Sequence, residues 1–295
     1  MVVVGSAGVL APGKWRWLRT LTWLAALCVA VVLTYNLVAK GALWALTLRT
    51  QPSDADRLVA AIAGCVVILV AYGAAVRLGE RRTAVELALP PAPRDLFLGM
   101  LIGGGAIAAV IGIQWLGGWV VIEARPVDAV VLALRDSIRS GVVEELVLRL
   151  VIFRLLWRAF GIWLALAVAA VIFGLLHLGN TGSDWFAALC LIAGEGIGIA
   201  LYLMTGRVWA AIGMHAAWNF TQGWVFGAVV SGTTDIAGGP LTMKPGAGVP
   251  EILSGGGFGP EASVAALLIS LTASAVMLWW AWRNGDFEPA TVDAD

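Results

Sequence analysis

His177 and His215 are the only histidines in this 295-residue chain, and each lies within a hydrophobic stretch of membrane-spanning character. A third such stretch opens with Glu144-Glu145 and carries Arg149 one turn later. Ionisable groups in lipid are costly: a translocon scale puts a central charge at about 2.5–3.5 kcal/mol. A neutral imidazole costs less but still needs partners for its ring nitrogens. Two carboxylates, two imidazoles and a guanidinium on neighbouring spans therefore point to a buried reactive site.

Spacing suggests what each group does. Residues four apart share a helix face, and Glu145 precedes Arg149 in the favourable order of acid before base. That ion pair holds the guanidinium and orients Glu145. Glu144 is turned about 100° away, which leaves its carboxylate free to face a cavity as a general base. The plain alternative is that both acids offset the macrodipole of a helix N-terminus. Phe173 stands four residues before His177, so its ring packs on the imidazole and limits its rotamers. His215 and Asn219 share the same spacing and project together as two donors, an arrangement that suits an oxyanion. A lone membrane histidine is more often interhelical glue. Every histidine falling into this pattern beside an acidic pair favours chemistry instead.

The elements that must position these groups follow from composition. The chain is 60% hydrophobic and 13% charged, with mean hydropathy +0.89, far below the ~25% charge of soluble domains. This implies an all-α polytopic membrane helix bundle forming a single domain, 1–295, in contact with the lipid bilayer. A net charge of zero gives no basis for nucleic-acid binding. Cys28, Cys65 and Cys190 are scattered in apolar runs and read as packed or lipid-facing side chains. No cleavable signal peptide is evident. Apolar runs near the ~20 residues needed for a crossing lie at roughly 17–38, 58–78, 96–121, 141–158, 161–178, 184–204, 207–229 and 262–283. That predicts about eight transmembrane helices, flanked by an N-terminal tail, 1–16, and a C-terminal tail, 284–295. Residues 125–140 mix Arg125, Asp128, Arg135, Asp136 and Arg139 with aliphatics and read as an amphipathic interfacial helix leading into the fourth span. Trp15, Trp17, Trp44, Trp157, Trp163, Trp185, Trp209, Trp279, Trp280 and Trp282 fall near span ends as an aromatic belt.

Two loops interrupt this pattern. Residues 79–95 combine Arg81, Arg82 and Arg94 with Pro90, Pro91 and Pro93, a stiff basic connector. Residues 231–260 are rich in Gly and Pro and read as a long external loop without regular structure. Lys14, Arg16, Arg19, Arg77, Arg81, Arg82, Arg94, Arg154, Arg158, Arg207 and Arg283 collect on one side of the predicted spans. By the positive-inside rule this gives an N-in, C-in topology in what reads as a bacterial cytoplasmic membrane. Lys40, Arg49 and Arg57 in the first outer loop, partly offset by Asp54 and Asp56, and the Arg125–Arg139 segment are exceptions. The topology sets Glu144 and His177 toward the outer half of the bilayer.

The ordered motifs Glu144-Glu145-Leu146-Val147-Leu148-Arg149, Phe173-Gly174-Leu175-Leu176-His177 and His215-Ala216-Ala217-Trp218-Asn219 resemble those of the CPBP family, the CAAX proteases and bacteriocin-processing enzymes of the Abi group. The stretch Leu253 to Glu261 is similar to a loop of bacterial members. The resemblance covers roughly 80–283 and implies an intramembrane endopeptidase acting on a peptide or membrane-protein substrate. In that reading Glu144 and His177 position and deprotonate the attacking water, His215 and Asn219 hold the carbonyl oxygen, and Glu145 and Arg149 support them. Leu150 departs from the family, whose members often have Gly there. Glu144, His177 and His215 are also the set that would ligate zinc. With no His-Glu-x-x-His helix and an asparagine in the set, a metal-free, glutamate-activated water is the reading preferred here. The competing function is a proton-coupled transporter or channel using the same residues. The inverted repeats and paired broken helices of transporters are not visible in the sequence.

Overall fold

A computed structural model describes residues 1–48 and 51–290. Helix α1 spans Arg16–Leu46 and α2 spans Asp54–Ala75, started by a reciprocal cap between Ser53 and Asp56. Helix α3, Ala92–Leu116, begins with a proline in its first turn, where the missing N–H costs nothing. A continuous rod then runs from Val130 to Phe160: α4, Val130–Glu145, a π-helical segment, Leu146–Phe153, and α5, Arg154–Phe160. Gly161, at φ 92°, separates it from α6, Ile162–Leu176. Helices α7, Trp185–Thr205, and α8, Trp209–Phe220, follow, α8 running into a second π segment, Thr221–Val225. After the short α9, Glu251–Ser254, comes α10, Val264–Arg283, whose Ser263 cap accepts a hydrogen bond from the amide of Ala266 at 3.1 Å.

The protein is thus mostly helical. Among the described residues five helices are long and apolar enough to cross a membrane: Arg16–Leu46, Asp54–Glu80, Ala92–Leu116, Trp185–Thr205 and Val264–Arg283. The other three expected spans fall short for different reasons. The rod Val130–Phe160 carries too many charges, and α6 and α8 have 15 and 12 residues. At ~1.5 Å per residue these two are shorter than the ~30 Å hydrocarbon layer. The rod, the C-terminal cap of α6 and α8 carry the reactive groups.

Several expectations are corrected. The helix expected over 125–140 starts at Val130 and leads into the next segment as expected, but it is not interfacial, because its polar residues Asp136, Ser137 and Ser140 are buried. Their polarity faces the protein interior, not lipid headgroups. The loop 231–260 is structured. It holds strand β2, Leu241–Pro245, antiparallel to β1, Val120–Ala124, with Val120 opposite Pro245. The residues 1–16 are no loose tail either, since Val2 and Leu10 are fully buried. Trp157 and Trp209 leave the aromatic belt and pack inside, Trp209 donating its indole N–H to the Ala88 carbonyl at 2.9 Å. Arg49 and residues 291–295 of the C-terminal tail lie outside the described residues.

Two close arrangements fix the bundle. Helices α3 and α8 meet backbone to backbone, and a Cβ at Gly103 would lie 2.0 Å from the Met214 carbonyl oxygen. Without hydrophobic pressure inside lipid, small residues of this kind let helices approach, and here they seat the helix that bears His215. Arg154 grips Glu80 through two bonds of 2.8 and 2.7 Å. Arg82 bridges Glu80 at 2.8 Å and Glu86 at 2.7 Å, and the Tyr72 hydroxyl donates to Glu86 at 2.6 Å. Arg82 and Arg154, counted above as inside-facing charges, are therefore neutralised in the interior.

Candidate active site

The site is built where α4 ends. Glu145 and Arg149 pair as their spacing predicts, Nε to Oε2 at 2.8 Å, both 1% exposed. The guanidinium also binds a second carboxylate, Glu195 of α7, through Nη1 and, at 3.1 Å, Nη2. Glu195 was not among the expected site residues. Its signal was present: it is the one charge in α7, flanked by Gly194 and Gly196. Gly198 completes the fit, because a Cβ there would come within 2.2 Å of Arg149 Nη2. Two carboxylates around one buried guanidinium take hydrogen bonds from both of its terminal nitrogens.

Glu145 also reaches across to α8. Its Oε1 accepts from His215 Nδ1 at 2.9 Å. A carboxylate on Nδ1 fixes the ring orientation and turns Nε2 outward. Nε2 stands 3.8 Å from Oε2 of Glu144, too far for a direct hydrogen bond and a separation at which a bridging water fits. The side chain of Glu144 is 36% exposed, against 1% for Glu145. The neighbouring acids are thus divided between an interior tie and an open cleft.

His177 is not inside a helix. It forms the C-cap of α6, and its Nδ1–H donates to the Phe173 carbonyl at 2.8 Å. A carbonyl only accepts, so the proton sits on Nδ1 and Nε2 is free. The Phe173 ring lies between the histidines, edge-on to His177 at 4.7 Å and to His215 at 6.3 Å. Asn219 does not extend freely beside His215, for its amide N–H donates to Ser140 Oγ at 2.9 Å. Leu150 lies in the π segment, fully buried, with its carbonyl accepting from Arg154 Nε at 2.8 Å.

Two spaces meet at these groups. A polar cleft of about 590 Å³ is lined by Glu144, Asp136, Arg139, Asn180 and Asp235. A more apolar chamber of about 610 Å³ is lined by Glu145, Phe173, Leu191, Met214 and Trp218. His177, His215, Asn219 and Ser231 line both. The structure therefore brings all four expected reactive residues to one cleft. Among the described residues no three His, Cys, Asp or Glu side chains converge as metal ligands. Both ring nitrogens of His215 face carboxylates and Nδ1 of His177 is taken by a carbonyl. With each Nδ1 bonded to an oxygen, Nε2 of both histidines is left for a water or a metal, so the donor chemistry of Glu144, His177 and His215 is compatible with zinc.

No curated protein and no solved structure shows a significant match to the chain. Residues 126–221 match the family model described as type II CAAX prenyl endopeptidase Rce1-like. That segment contains Glu144, Glu145, Arg149, Phe173, His177, Glu195, His215 and Asn219, while Ser231 and Glu261 lie beyond it. Through this site-bearing segment the chain is similar to the Rce1-like type II CAAX prenyl endopeptidases, a family of peptidases, and its long apolar helices make it an integral membrane protein.

Proposed function

We propose that the protein is an intramembrane endopeptidase that hydrolyses peptide bonds with a carboxylate-activated water. Glu144 accepts a proton from the water as its oxygen attacks the scissile carbonyl, and His177 Nε2 orients that water. The tetrahedral oxyanion is held by Nε2–H of His215 as an imidazolium, its Nδ1–H kept on Glu145, and by the Asn219 amide, which gives up its bond to Ser140. The proton then passes from Glu144 to the leaving amine, the C–N bond breaks, and an acid and an amine remain. Glu145, tied to Arg149 and through it to Glu195, holds His215. The Phe173 carbonyl fixes the tautomer of His177.

The observation that carries this reading is the continuous tie from Glu195 through Arg149 and Glu145 to His215 Nδ1, which ends with Nε2 facing Glu144 across 3.8 Å. Fixed donors in a cavity of restricted water access stabilise developing charge most strongly. We propose further that all eight apolar segments cross the bilayer, the three short or charged ones within the bundle. The distribution of Lys and Arg supports an N-in, C-in arrangement with the polar cleft opening outward. The substrate is then a membrane-tethered chain reached from that face.

The test is cleavage of fluorogenic peptides by the purified protein in proteoliposomes, with prenylated and unprenylated C-terminal peptides as separate arms. Glu144→Gln is expected to lower kcat by about 10²–10⁴, the usual contribution of a general base. Chelator titration is expected to leave the rate unchanged. Wild-type turnover by Glu144→Gln would remove Glu144 from the mechanism, and loss of activity on chelation restored by added zinc would return a metal to it.

A further inference from the structure

The motif Leu253 to Glu261 has no part in the hydrolysis just described, yet it ends beside the site. Glu261 is 4% exposed. Its Oε1 accepts from the backbone N–H of Ser231 at 2.7 Å and from the Ser231 hydroxyl at 2.6 Å. Its Oε2 accepts from the Trp218 indole N–H at 3.2 Å. No salt bridge to a cation forms at Glu261 among the described residues. Three neutral donors hold its carboxylate.

What it holds is an unusual turn. Val230 and Thr233 exchange two backbone bonds of 2.9 Å around Ser231-Gly232, with φ of 46° and 85°. Two positive φ angles are the pattern of a type I′ hairpin turn, which favours Asn-Gly. Serine at the first position is strained, and such strain persists only where the surroundings enforce it. Glu261 supplies that enforcement by taking both hydrogens that Ser231 offers.

The turn is also a junction. The Ser231 carbonyl accepts from the side chain of Asn180, three residues past His177. Through Glu261 and Trp218 the same turn is tied to the helix position adjoining Asn219. The backbones touch directly: a Cβ at Gly232 would lie 2.3 Å from the Thr181 carbonyl oxygen, and one at Gly259 would lie 2.1 Å from that of Val229. Ser231 lines both the polar cleft and the apolar chamber.

We infer that Glu261 is a positioning residue which, by locking the Ser231-Gly232 turn, sets the spacing between the loop that carries His177 and the helix that carries His215 and Asn219. The inference rests on the hydrolytic reading above and names a residue outside the matched family segment. Glu261 touches no reacting atom. Its effect is on geometry, where a misplacement of about 1 Å costs up to a hundredfold in rate.

The experiment compares E261A, S231G and the double variant E261A/S231G in proteoliposomes, with amide hydrogen exchange measured on the same samples. E261A is expected to lower kcat at least about tenfold with KM within about twofold, and to speed exchange in both the 178–184 and 228–233 segments. Glycine adopts positive φ without penalty, so S231G in the E261A background is expected to recover most of the rate and of the protection. General loss of packing, or direct chemistry by Glu261, would not be rescued in this way. Unchanged kcat in E261A, unchanged exchange in the two loops, or failure of S231G to restore both readouts overturns the inference. Should E261A not fold, E261Q with and without S231G serves the same comparison. Glu144→Gln runs alongside: its retention of full turnover would defeat the hydrolytic reading, while the exchange data would still decide whether Glu261 sets the loop spacing.

Discussion

Replacing Arg149 by methionine should be among the most damaging single changes in the chain. The guanidinium lies between Glu145 and Glu195, and all three side chains are buried, with exposures of 1–2%. Methionine fills much of the volume but leaves two carboxylates facing each other with no cation between them. Breaking a buried pair by removing one partner costs about 3–5 kcal/mol, a shift of about two to four orders of magnitude in a folding equilibrium at 1.4 kcal/mol per decade. Removing the charges together is a different perturbation. A triple variant with Arg149→Met, Glu145→Gln and Glu195→Gln carries no uncompensated charge, and such replacements are often neutral or stabilising. Its stability should return to within about 1 kcal/mol of wild type, within the range ordinary substitutions span. It should remain inactive, because His215 loses the carboxylate on Nδ1. Stability is read by reversible unfolding in mixed micelles and turnover by the peptide assay. The reasoning is refuted if Arg149→Met alone unfolds within about 1 kcal/mol of wild type, or if the triple variant is no more stable than the single one.

Other consequences are more local. Asn219→Ala should lower kcat by about 10²–10³, as loss of an oxyanion donor does, whereas Ser140→Ala, which only frees the same amide, should cost far less; equal losses would contradict the donor role. Gly103→Ala puts a methyl 2.0 Å from the Met214 carbonyl and should destabilise by about 1–3 kcal/mol. Gly105→Ala, with open space around it, should be neutral or stabilising, and thermal melts that rank the two the other way refute the helix contact. Glu86 lies outside the spans. Burial opposes its ionisation, but the Arg82 hydrogen bonds and the Arg154 and Arg82 charges outweigh that and hold the carboxyl below its ordinary value of 4.5. A depressed carboxyl stabilises fully above its unfolded pKa and loses that contribution as pH falls through the folded one. Melting temperature should therefore decline from about pH 4.5 downward, and Glu86→Gln should flatten the decline; an unaltered slope argues against it.

The sequence disclosed the site better than its surroundings. Glu145 with Arg149, and Phe173 with His177, follow from four-residue spacing, a local property that survives any packing of the helices. His215 with Asn219 shares the spacing, but each side chain found a partner on the rod, Glu145 and Ser140, which helix periodicity does not encode. Glu195 went unread because a single acid in an apolar helix was judged alone; counting Arg149's donors would have asked for a second carboxylate. The loop 231–260 was misjudged because glycine was taken to mean irregularity. Here the glycines permit the backbone contacts that organise the loop. The polar face of α4 suggests the membrane interface from sequence, yet a membrane protein with an internal cleft can turn such a face inward.

The π-helical stretch Leu146–Phe153 has a consequence for how this rod tolerates change. It lies between two charged commitments: Glu144 and Glu145 just before it, and Arg154 just after. Wider turns advance each residue by less than the usual 100°, so the stretch acts as a phase shifter that lets both ends of one rod aim correctly. Excising one residue from it, for instance Leu150, would favour ordinary winding and dephase the ends. Either the acids would swing from the cleft or Arg154 would lose Glu80 and face hydrocarbon. Sequence length between these landmarks is thus under tighter control than the identity of the aliphatic residues that fill it.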